Sequence, residues 1–175
     1  MVSVPKLGAG DPVLAWRLDR QHYATTWDSG IGAEKLGGRW NAKGQRAVYC
    51  SVDPSTAILE VAVHAGFPVL DTQPHVLTCI EVTEEPIHVV QPEDVPNPAW
   101  LIPGTPSAGQ QAFGSQLLSQ HGIVLFPSAV SRFSWNLVIE PSIAKERYRS
   151  HSQAIFVLDT RLHPPRPSPW AALAR

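Results

Sequence analysis

Apolar and polar positions alternate with a period of two in several short runs of this chain and follow a helical period in two longer ones. Residues 13–18, VLAWRL, read as a strand that delivers Trp16 and Arg17. Residues 21–38 are rich in Gly, Thr and Asp with little periodicity, and read as a loop with room for a helical turn. AVYCS at 47–51 predicts a second strand, with Ala47, Tyr49 and Ser51 on one face and Val48 and Cys50 on the other. DPSTAILEVAVHAG predicts the clearest helix: Asp53 suits the N-cap, Pro54 the first helical position and Gly66 the end. HVLTCIEV and IHVV follow as strands, with Glu84, Glu85 and Pro86 turning between them.

Prolines at 92, 96, 98, 103 and 106 mark a surface connection, because neither flank is long enough to stand alone. A second helix, QQAFGSQLLSQHG, leads into strand IVLF, a break at Pro127, strand WNLVIE and a last strand AIFVLD. Strands with two helices that do not strictly alternate predict an α+β fold, a single domain with a small mixed sheet and a few helices. The domain is expected over 13–160, after an N-terminal extension at 1–12 and before a proline-rich tail at 161–175 that reads as extended or loosely held.

Composition narrows the function classes. A chain of 175 residues with 43% hydrophobic and 17% charged residues suits one soluble domain with a sizeable core. A formal net charge of −1 supplies no global field for nucleic acid or an anionic membrane, so neither is expected as a direct partner. No apolar run approaches the roughly 18 residues of a membrane span. Two cysteines without a disulfide framework, and a start without signal-peptide character, predict a reducing, cytoplasmic setting.

The chemistry begins with absences: no zinc-ligand spacing, no P-loop, no GxGxxG after a strand, and no companion pattern around Cys50 or Cys79. Glu60 is the first positive signal. It shares a helix stripe with Thr56 and His64, opposite an apolar face of Ala57, Ile58, Val61, Ala62 and Ala65, and Leu59 and Val63 flank it. A solvated stripe would explain it, yet a carboxylate on a helix apolar around most of its circumference also suits a partner or a cleft. In GGRWNAKGQRAVYCS, Gly37 and Gly38 permit a tight turn and close approach of a ligand. Arg39 offers a planar fork for phosphate with Trp40 as an aromatic wall, and Tyr49 has small neighbours that leave space over its ring. A surface arginine and a core tyrosine would fit equally. Ser128 opens the loop after a buried strand, and Asn136 sits inside an apolar strand where it needs a specific hydrogen-bond partner.

In order along the chain, WRLDR, GGRWNAKGQRAVYCS, PSTAILEVAVH and FPSAVSRFSWNLVIEP resemble the RES domain, the toxin half of bacterial RES–Xre toxin–antitoxin pairs. The resemblance implies a fold akin to the ADP-ribosyltransferase toxins and an enzyme that degrades NAD. The family's arginine, tyrosine, glutamate and serine fall on Arg39, Tyr49, Glu60 and Ser128, implied as catalytic. Arg17, Trp40 and Asn136 join Arg39, Tyr49 and Ser128 as implied NAD contacts, with Ser128 at the nicotinamide end. Glu140 departs from the asparagine usual before that proline.

NAD is then a substrate, with no tightly bound cofactor and no metal. The resemblance implies cleavage of the nicotinamide–ribose bond, with water or inorganic phosphate expected as acceptor. The alternatives are transfer of ADP-ribose to a host protein, and a non-catalytic nucleotide-binding or interaction module. The implied partner is an Xre-family helix-turn-helix antitoxin that covers the active site in a hetero-oligomer.

Overall fold

A computed structural model describes residues 12–83, 86–104 and 106–162. Most of the expected N-terminal extension and C-terminal tail, with Glu84 and Glu85 of the expected turn, lie outside the described residues. The chain runs through β1 (Val13–Arg20), a 3-10 turn at Gln21–Thr26, α1 (Ile31–Leu36), β2 (Val48–Ser51), α2 (Pro54–Ala65), α3 (Phe67–Thr72) and β3 (His75–Val82). It continues with β4 (His88–Val89), α4 (Ala108–His121), β5 (Ile123–Pro127), β6 (Trp135–Ile139), α5 (Pro141–Ala144) and β7 (Tyr148–Phe156). The strands form one sheet in the order β4-β5-β6-β2-β1-β3-β7. It is mixed because β4 runs parallel to β5 while the other pairs are antiparallel.

Helix α2 starts and stops where its caps dictate. The Asp53 side chain accepts from the Thr56 amide at 2.8 Å, Pro54 occupies the first turn, and the Gly66 N–H, at φ 82°, returns to the Ala62 carbonyl. Elsewhere the structure corrects the sequence expectations. Helices α3 and α5 are added and the stretch 21–38 holds α1 beside the helical turn expected of it, whereas β5 ends at Pro127 where the break was expected. The last strand starts at Tyr148, six residues early, because β7 lies at the sheet edge with most of its residues exposed and shows no apolar alternation.

The two faces of the sheet are filled differently. One carries a continuous core in which Val13, Ala15, Ile80 and Val82 meet Val48, Cys50, Leu125, Leu137 and Ile139. The other carries two separate cores. Val124, Phe126 and Val138 pack with Trp40, Val90, Trp100 and Leu118 toward the β4 edge, while Leu18, Ala62, Leu70 and Leu158 pack toward the β7 edge. The short strand β2 runs between them, joined to β1 by the single pairing of Trp16 with Ser51. Among the described residues no helix is long and apolar enough to cross a membrane.

Helix α4 presses a narrow stripe, Gln110, Gly114 and Leu118, into the core near β4. A Cβ at Gly114 would stand 2.3 Å from the Trp40 carbonyl oxygen and 2.8 Å from its carbonyl carbon, both backbone atoms. Gly114→Ala is therefore expected to lower stability by about 1–3 kcal/mol despite alanine's better helix propensity, as urea denaturation will read out.

Candidate functional site

On the face with two cores, the gap over β2 is polar. Tyr49 and Ser51 point into it, and the β2–β6 register sets Asn136 directly opposite Ser51. Glu60 reaches the same place from α2. Its Oε1 accepts from Asn136 Nδ2 at 2.7 Å and from Ser128 Oγ at 3.0 Å. Ser128 and Asn136 are 1% and 6% exposed, whereas Glu60 is only half-buried, so the carboxylate is held from inside and open on its outer side. No described residue donates to Oε2.

Ser128 has no hydrogen-bonding capacity to spare. Its hydroxyl proton goes to Glu60, and its oxygen accepts from the Val130 and Ser131 amides at 3.2 and 3.0 Å. Ser128 in this arrangement fixes Glu60. The loop it opens is closed by the Ser128 amide on the Ser134 carbonyl and the Ser134 amide on the Ser131 carbonyl. Ser134 Oγ then donates to Asp53 Oδ2 at 2.6 Å, so the N-cap of α2 is tied to the same loop that holds Glu60 two turns later. Burial pushes the Asp53 carboxyl up, but hydrogen bonds from Ser134 and from the Thr56 amide and hydroxyl outweigh it and hold the group below 3.8.

Arg39 leaves the glycine pair half-buried and donates through Nη1 to the Trp100 carbonyl at 2.6 Å. That contact leaves the edge formed by Nε and Nη2 clear of it, the edge that grips an oxyanion side-on. The Tyr49 ring is half-buried, and its hydroxyl accepts from the Trp40 amide at 3.0 Å and donates to Asn41 Oδ1 at 2.8 Å. Burial raises the Tyr49 hydroxyl far above its ordinary value, against the lowering effect of the Trp40 and Asn41 backbone groups. Charge acts on it in opposite senses, Arg39 lowering and Glu60 raising it. Gly38 serves this knot, since a Cβ there would meet the Tyr49 hydroxyl at 2.4 Å; the room expected for a ligand is filled by the tyrosine.

Two expected contacts are corrected. Trp40 is fully buried, stacked on Phe126 with ring centroids 4.4 Å apart, and belongs to the core instead of walling the site. Arg17 emerges on the opposite face of the sheet, because its neighbour Trp16 is the residue paired with Ser51. There Arg17 is ion-paired with Asp19 and donates to the Tyr49 carbonyl at 2.9 Å, stitching β1 to β2 where ladder pairing is sparse. Cys50 is buried and free, with its thiol pushed up to about 12 by that burial. Glu140 caps α5, accepting from the Ile143 amide at 2.7 Å, a task the asparagine usual there could also perform.

Sequence reasoning missed Asn41, Ser51, Asp53 beyond its capping, and Ser134. Asn41 is fully buried and donates through Nδ2 to the carbonyls of Ala33, Ala42 and Gln45, which shapes the turn between Arg39 and Tyr49. A polar side chain beside glycines and before a strand carries that signal only weakly. The signal for Ser51 was its place two residues after Tyr49, on the same face.

Comparison with known proteins places these residues in a wider set. The family model of the RES domain matches residues 14–159. A protein named Toxin Res from Photorhabdus laumondii is 32% identical over 155 residues, covering 86% of this chain and 97% of that protein. A Prs ADP-ribosylating toxin from Sphingobium is 33% identical over 135 residues, covering 73% of this chain and 81% of its own length. Among solved structures, the M. tuberculosis MbcT–MbcA toxin–antitoxin complex contains a chain of similar fold, with a TM-score of 0.62 at 20% identity over 83% of this chain and 85% of that one.

Two measurements check the site's construction. Tyr49→Phe strands the Trp40 amide and Asn41 Oδ1 without their partner, and should cost about 1–3 kcal/mol in denaturant unfolding. Asp53, depressed in the folded state, adds stability that is complete above its unfolded value of 3.8 and is lost as pH falls through its lower folded value. The stability gap between wild type and Asp53→Asn should therefore be widest at about pH 7 and narrow progressively as the pH falls below about 4.

Proposed function

The chain belongs to the RES domain family, and from that membership we propose that it is a toxin that cleaves the nicotinamide–ribose bond of NAD in the cytoplasm. The carrying observation is Glu60, one oxygen of which is held by Ser128 and Asn136 while the other is free of described donors. Breaking an N-glycosidic bond to nicotinamide builds positive charge on the ribose, and the leaving group departs neutral from a cationic precursor. Strong acid assistance is then unnecessary. A preorganised carboxylate beside the ribose lowers the barrier by meeting the developing cation, and Oε2 is the oxygen available for it.

Arg39 grips the pyrophosphate through Nε and Nη2 while Trp100 steadies Nη1. The exposed part of the Tyr49 ring packs against the nicotinamide half, its hydroxyl being committed to Asn41. NAD enters as substrate and not as a resident cofactor, and water or inorganic phosphate accepts the ADP-ribosyl group. The fold is read as a relative of the ADP-ribosyltransferase toxins. The printed name of the Sphingobium relative favours a second outcome at the same site, transfer of ADP-ribose to a protein side chain. As in the M. tuberculosis complex, the partner is an antitoxin, here proposed as a helix-turn-helix protein of Xre type that covers the site.

Incubation of the purified chain with NAD, with and without phosphate, should release nicotinamide. Glu60→Ala should lower kcat by about 100-fold or more. Arg39→Ala should raise KM about tenfold with a smaller change in kcat. No release from wild type under either condition overturns the proposal. Stable mass additions on host proteins, in place of free ADP-ribose or its phosphate, would establish the second outcome.

A further inference from the structure

Ser51 is buried in the middle of the sheet, at the one point where β1, β2 and β6 come into register: Trp16 pairs with it on one side and Asn136 on the other. Its hydroxyl donates to Asn136 Oδ1 at 2.9 Å, and the far end of the same amide donates to Glu60 Oε1 at 2.7 Å. Hydroxyl, amide and carboxylate thus form one head-to-tail chain in which each donor points toward Glu60, so the bonds polarise one another. Without Ser51, Asn136 Oδ1 would be a buried carbonyl lacking its donor, and the amide would gain by turning away in search of one. Turning moves Nδ2 off Glu60. Ser128 alone would then hold Oε1, through a single rotatable hydroxyl.

We propose that Ser51 is a positioning residue that acts through Asn136 to hold Glu60 by Oε1, so that Oε2 is the oxygen presented to the ligand. The proposal rests on the reading of Glu60 as the carboxylate that meets the ribose. Ser51 itself touches neither the ligand nor Glu60.

A double-mutant cycle tests the path of action. Ser51→Ala should lower kcat for nicotinamide release about tenfold with KM changed less than about twofold. Asn136→Ala should lower kcat at least as far, and adding Ser51→Ala to it should cost nothing more. Losses that add in full, or an unchanged kcat in Ser51→Ala, overturn the proposal. If Ser51→Ala does not fold, Ser51→Cys replaces it: a thiol of similar size donates weakly, so a smaller loss supports the role and wild-type kcat refutes it.

A second readout needs no activity. The Asn136 side-chain amide protons, followed by NMR on nitrogen-labelled protein, should exchange slowly in wild type and clearly faster in the folded Ser51→Ala chain. Equal rates overturn the positioning role. If wild type releases no nicotinamide, the NAD reading falls, and these exchange rates still decide what Ser51 does to Asn136.

Discussion

An asparagine inside a buried strand is tolerated only where both ends of its amide find partners, and Asn136 finds them in Ser51 and Glu60. Much of the site follows from that demand. The bond to Glu60 brings α2 over β6. Ser128 adds a second donor to the same oxygen, and Asp53 ties the start of α2 to Ser134 in the loop that Ser128 opens. A helix placed by apolar contacts alone could slide or roll by a fraction of a residue. With attachments at both of its carboxylates, α2 has one orientation, and the half-buried glutamate faces outward on one side only.

The opposite wall is built on different terms. Arg39, Tyr49 and Asn41 depend on backbone groups: the Trp100 carbonyl, the Trp40 amide, and the carbonyls of Ala33, Ala42 and Gln45. Backbone partners do not change with side-chain substitution, so this wall is defined by the path of the chain. It also gives the proline-rich stretch a task beyond connection, because Trp100 lies within it and is anchored in the core beside Trp40.

Much of this was legible beforehand, and the failures have physical causes. Asp53, Pro54 and Gly66 delimit α2 because capping is local, so a short run of sequence at each end contains the whole cause. Glu60 stood out because a carboxylate on a largely apolar helix needs an outlet. Arg17 was misassigned because alternation says which residues share a face, not which face meets the site, and the Trp16–Ser51 pairing decides that only in three dimensions. Trp40 looked like a wall because indoles are common at ligand sites, but its stacking on Phe126, 86 residues away, is invisible locally. The polar start of β7 was missed because an exposed edge strand has no buried face to write a pattern.

The sheet's near-division at β2 has a mechanical consequence. On the site's face the apolar cores stop short of each other, so the halves are fastened there by polar contacts: Glu60 on Asn136 and Ser128, and Asp53 on Ser134. Clasps of this kind are cheaper to open than a packed core, and motions that part the halves will hinge at the Trp16–Ser51 bridge while the continuous core behind stays shut. The proposed chemistry and this fastening therefore share one carboxylate. Anything that draws Glu60 away from its donors also loosens the seam, and a molecule spanning the gap would brace it.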